Sequence, residues 1–130
     1  MAGALTRWGI AALGLMPVLA TAAPGSWVAE VPALRVAVVG RAVYSEAVTP
    51  PPGAGVPHRI GWRYTSAGHR RLDAWLCQRQ HCVPLQGERG RLAAPRGWRA
   101  DTPLRFRFRL PPGETRAVQV NGLRISLEWR

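Results

Sequence analysis

Two cysteines, Cys77 and Cys82, stand with four residues between them in the stretch LDAWLCQRQHCVPL, and His81 sits beside the second. Thiolate and imidazole are favoured zinc ligands, close thiols run redox exchange, and two sulfurs in reach can join as a disulfide. A zinc site of recognisable type pairs two short-spaced clusters. Here there is one cluster, and His58 and His69 lie in separate segments. A catalytic redox pair is C-x-x-C at a helix start, where the helix terminus lowers the thiol pKa. The spacing here is wider, and both flanks alternate as strands do.

Other residue types with reactive potential are scattered. Ser66, His69 and Asp73 supply the types of a hydrolytic triad, but no G-x-S-x-G elbow surrounds the serine. The chain has 7 acidic residues, none in a general acid/base arrangement. No catalytic residue is assigned, no cofactor or metal is expected, and the chain reads as a non-enzyme. The strand LRFRFRL instead places Arg105, Arg107 and Arg109 on one face, about 6.6–7 Å apart. Guanidinium forks at that spacing suit carboxylates or phosphates on a partner, so these three form the candidate partner surface. The plainer account of the same residues is a solvated strand face.

The beginning of the chain sets the compartment. Arg7 is followed by an apolar run from Trp8 to Ala20 and by the small residues Ala20-Thr21-Ala22. That order is the pattern of a secretory signal peptide, with a run too short for the roughly 20 residues of a spanning helix. We expect a signal-peptide helix over residues 1–22, cleavage after Ala22 or Ala23, and a single domain over 24–130. No later stretch is apolar for long enough to span a membrane, so a soluble protein exported to an oxidising compartment is expected. Disulfides persist in that compartment, and the even cysteine count leaves no odd thiol. A Cys77–Cys82 disulfide across a hairpin is therefore favoured over a metal or redox site, with His81 a polar turn residue.

Charge narrows the partners. The chain carries 18 Lys+Arg against 7 Asp+Glu, net +11, and every basic residue of the 18 is arginine. Nucleic acid is the usual partner of such a balance, but an exported chain does not meet it, so no nucleic-acid role is assigned. An acidic protein or an anionic membrane surface fits the charge instead. GC-rich coding is the plainer account of the absent lysine, and the excess of positive charge is physical whatever its origin.

The elements that must position these residues alternate with period two. Leu34–Tyr44 reads as a strand with a bulge at Gly40, and His58–Ser66 as a strand with Ile60, Trp62 and Tyr64 on one face. Val48–Pro57 is a proline loop, and Gln86–Trp98 is loop-like. Leu72–Cys77 and Cys82–Leu85 form a hairpin, and Leu104–Leu110 is the clearest strand. Ala117–Arg130 reads as a second hairpin turning at Asn121-Gly122. Trp62 and Trp129 fall on apolar faces, whereas Trp75 is out of phase and either exposed or packed on the disulfide. The sum is an all-β chain: a small antiparallel β-sandwich of about seven or eight short strands with one disulfide-pinned hairpin.

Taken in order, WRY (62–64), LCQRQHCVPLQG (76–87), PLRFRF (103–108), PPG (111–113) and the closing alternating strand resemble the FlhE family. The resemblance runs from about Ser26 to Arg130, and the cysteine hairpin is its most specific element. The proline loop and the arginine excess depart from it. The resemblance implies a non-enzymatic periplasmic accessory of flagellar assembly. Its implied roles are limiting proton leakage through the type III export gate or assisting exported subunits. Its partner would lie in the export or basal-body machinery. A general periplasmic chaperone or interaction domain, or an anionic-ligand-binding β-domain unrelated to flagella, is the alternative.

Overall fold

The computed structural model describes residues 24–130; the expected signal-peptide helix lies outside the described residues. Nine strands follow: β1 (Gly25–Val31), β2 (Leu34–Val36), β3 (Val43–Tyr44), β4 (Pro57–Ser66), β5 (Asp73–Gln78), β6 (His81–Pro84), β7 (Arg89–Ala93), β8 (Leu104–Arg109) and β9 (Val118–Trp129). One short 3-10 turn, Ala67–His69, is the helical element among the described residues. No helix there is long and apolar enough to cross a membrane.

The strands form two antiparallel sheets. One runs β1-β9-β4-β7, with β2 also on β9; the other runs β3-β8-β5-β6. Alternation decides which side of each strand is buried. Ile60, Trp62 and Tyr64 of β4 and Leu123, Ile125 and Leu127 of β9 turn inward from the first sheet. Leu104, Phe106 and Phe108 of β8 and Ala74 and Leu76 of β5 meet them from the second. The Tyr64 ring stands edge-on to Phe108 at 5.0 Å and to Phe106 at 6.2 Å between centroids, a geometry favoured by the ring quadrupoles. The all-β sandwich read from the sequence is the fold.

Four details differ from the sequence reading. Leu34–Tyr44 is two strands in different sheets, because a turn at Val38–Arg41 carries the chain across the sandwich. The loop-like Gln86–Trp98 contains β7, whose Gly90 lies opposite Trp62. A Cβ at residue 90 would meet the Trp62 ring at 2.6 Å, so glycine is the residue that lets the indole lie flat there. The closing segment is one twelve-residue strand rather than a hairpin. Gly122, at φ 62, takes up the extra residue as a bulge, and the register with β4 slips between Arg63 and Thr65. The strand count among the described residues is therefore nine rather than seven or eight.

The bulge also explains the break between β1 and β2. β1 pairs with Leu123–Trp129, and β2 pairs with Val118–Val120. The two lie end to end along one side of β9, interrupted at Pro32 where the bulge interrupts β9. The proline loop is tied at both ends: Val48 pairs with Leu104, and Val56 exchanges two backbone hydrogen bonds with Arg130.

Candidate interaction surface

The outward face of the four-stranded sheet is built by register. Arg105, Arg107 and Arg109 of β8 lie opposite Cys77, Trp75 and Asp73 of β5, while Tyr44 of β3 flanks Arg107. All three arginines are half-buried. The Arg105 guanidinium covers the Tyr44 ring at 4.0 Å. Trp75 takes Arg107 at 4.6 Å and Arg109 at 5.4 Å, and Arg109 also reaches Asp73 at 3.4 Å. Aromatic faces attract cations through the ring quadrupole, so the rings hold the stripe without neutralising it. Asp73 is the one carboxylate paired with the stripe among the described residues. The Arg107 Nε is shielded from solvent and has no hydrogen-bond partner. Such an array can accept carboxylate or phosphate oxygens in preset positions.

The cysteine hairpin supports one side of this face. Cys77 and Cys82 are directly cross-strand, their Cα atoms 4.0 Å apart, and their sulfurs are joined. The turn between the strands is only Arg79-Gln80, since Gln78 and His81 pair in the ladder. The His81 Nδ1 accepts a hydrogen bond from the indole N–H of Trp98. Gln78 fastens the hairpin to the following loop: its Nε2 donates to the Arg99 carbonyl at 2.6 Å, and its Oε1 accepts from the Arg99 N–H at 2.8 Å. Trp75, on the outward face, packs with arginines.

Ser66, His69 and Asp73 are not assembled for catalysis. The buried Ser66 hydroxyl contacts the Arg70 carbonyl at 2.6 Å and Glu88 at 3.0 Å. His69 is largely exposed, with Nδ1 3.7 Å from Glu88, and Asp73 belongs to Arg109. Burial, reinforced by the Glu88 charge, pushes the nearby Tyr64 hydroxyl up to about 12. No group of three or more His, Cys, Asp or Glu residues able to hold a metal occurs among the described residues.

Sequence reasoning named the arginines but missed what braces them. Tyr44 belongs to a two-residue strand far from β8 in sequence, so no local pattern connects it to Arg105. The same is true of Arg70, whose guanidinium donates to the Ala117 and Arg116 carbonyls at 2.7 Å each and pairs with Glu114 at 2.6 Å.

Comparison with known proteins agrees with this architecture. The family described as flagellar protein FlhE matches residues 33–130. The flagellar protein FlhE of Escherichia coli (strain K12) is 33% identical over 106 residues, covering 78% of this chain and 82% of that protein. A crystal structure of FlhE superposes with a TM-score of 0.70 at 26% identity, covering 82% of this chain and 97% of the other. The matched span contains the cysteine hairpin and the arginine stripe, and the chain belongs to the FlhE family of flagellar proteins.

Proposed function

We propose that this chain is a non-enzymatic accessory protein of flagellar assembly that acts in the periplasm after its leader is removed. There it limits proton leakage through the export gate or assists exported subunits. It docks on an acidic rim of the export or basal-body machinery through Arg105, Arg107 and Arg109. Membership of the FlhE family carries this reading. The braced arginines support the choice of surface: cation–π contacts keep them in place while leaving their charge available. Left unpaired, the same basic face would instead oppose the movement of protons past it.

The test is a deletion strain, complemented with the wild-type chain or with R105E/R107E/R109E, scored for swimming and for cytoplasmic pH. The wild type should restore both, and the charge-reversed chain, present in the periplasmic fraction and folded, should restore neither. Normal swimming and pH in the uncomplemented deletion would overturn the flagellar reading. Full rescue by the charge-reversed chain would overturn the surface alone.

A further inference from the structure

The opposite side of the sandwich carries a second, differently built cluster of arginines. On the outward face of the five-stranded sheet, one cross-strand row runs Glu30, Arg124, Arg63, Arg89 through β1, β9, β4 and β7. The neighbouring row runs Val28, Ser126, Gly61, Arg91. Three cations thus occupy successive positions on strands spaced about 4.8 Å apart. Like charges directly opposite one another destabilise a sheet unless something offsets them.

The carboxylates on this face offset only part of that charge. Arg124 meets Glu30 at 3.2 Å, and Arg91 lies 3.9 Å from Glu128, both pairs open to solvent. Arg63 and Arg89 have no carboxylate partner among the described residues. The cation–π contacts of the other face, on Tyr44 and Trp75, have no counterpart shown for these four among the described residues. The Arg124 Nε is shielded from solvent yet unpaired.

The second row gives the cluster a floor. Gly61 has no side chain, and a Cβ there would lie 2.3 Å from the Ser126 Oγ, so the hydroxyl leans over the glycine. Among the described residues no hydrogen bond within the chain engages that hydroxyl. Arg63, Arg89, Arg91 and Arg124 surround the resulting depression, whose volume is about 270 Å3.

We propose that this depression is a binding site for a compact phosphate-class anion, with the Ser126 hydroxyl beneath it and guanidinium groups on its sides. A tetrahedral anion presents acceptor oxygens in several directions and can take donors from separate strands together, whereas a single carboxylate engages one guanidinium fork. Neutralising the Arg89–Arg63–Arg124 row is the gain that drives binding. The site stands apart from the flagellar reading, because its test uses only purified protein.

The experiment titrates the purified chain with inorganic phosphate and with pyrophosphate at constant ionic strength, following backbone amide resonances. Saturable shifts are expected at Gly61, Arg63, Arg124 and Ser126. R63Q/R89Q, which alters two exposed side chains, should weaken binding by at least about tenfold without lowering the unfolding midpoint, since it also relieves the cross-strand repulsion. R105Q/R107Q/R109Q should leave it unchanged. Non-saturating shifts, equal shifts on both faces, or full binding by R63Q/R89Q would overturn the proposal. Co-sedimentation with phosphatidylglycerol but not phosphatidylcholine vesicles, lost in R63Q/R89Q, would assign the phosphate to a lipid head group. Saturable phosphate binding without sedimentation would assign it to a soluble molecule.

Discussion

The guanidinium of Arg107 stands 4.6 Å from the ring centre of Trp75, and that of Arg109 approaches the same ring at 5.4 Å. One indole therefore orders two of the three charges on the face. Trp75→Leu keeps an apolar side chain at the position but removes the ring face. It should lower unfolding free energy by about 1 kcal/mol, read from the denaturant midpoint. An unchanged midpoint would mean that the rings do not brace the arginines.

Arg70 joins the end of β4 to the segment before β9 through two carbonyls and Glu114. Charge-assisted hydrogen bonds of this kind contribute about 1.5–3 kcal/mol, so Arg70→Met should cost about 2 kcal/mol at neutral pH, discounted for its partial exposure. Chemical unfolding of the two chains side by side measures the difference.

The hydrogen bond from Arg70 holds the Glu114 carboxyl below its usual value of 4.5. A depressed carboxyl stabilises the fold above its unfolded pKa, and that contribution is lost as pH falls through the folded one. Wild type should accordingly lose stability below pH 4.5 more steeply than Glu114→Gln. Parallel acid curves would exclude the linkage.

At the alkaline end the sign reverses. Burial raises the Tyr64 hydroxyl from 10.0 to about 12, so its contribution is intact below pH 10.0 and disappears as pH climbs through about 12. Absorbance at high pH should show a late-titrating tyrosine that is absent from Tyr64→Phe, and the substituted chain should resist alkali better.

The Cys77–Cys82 bond closes a short loop, with a sequence separation of 5. Chain-entropy reasoning assigns such a loop about 2 kcal/mol. Cys77→Ala/Cys82→Ala should remain folded with stability reduced by about that amount. Intact mass of the wild type should fall two hydrogens below the reduced chain. Complete unfolding of the double variant would show that the bond does more than pin a turn.

What could be read from the sequence follows the range of the interactions. The β8 alternation shows directly which residues are inside, because a period of two is a local property. The cysteine hairpin is local as well. The closing strand misled for an instructive reason: Val120 and Leu123 are both buried with Asn121-Gly122 exposed between them. A hairpin turn and a bulge produce that same pattern, and only pairing of both arms with other strands separates them. β7 was hidden by Gly90, whose value comes from an indole on another strand. The cluster around Gly61 draws on β4, β7 and β9, so nothing short of topology could gather it.

The position of β9 has a consequence for how the molecule comes into being. The final strand lies inside the five-stranded sheet and pairs with β1, β2 and β4. β1, β2 and one edge of β4 have no partner on that side without the twelve residues of β9. The five-stranded sheet is continuous only once β9 is in place. Loss of the tail would remove the centre of a sheet rather than trim its edge.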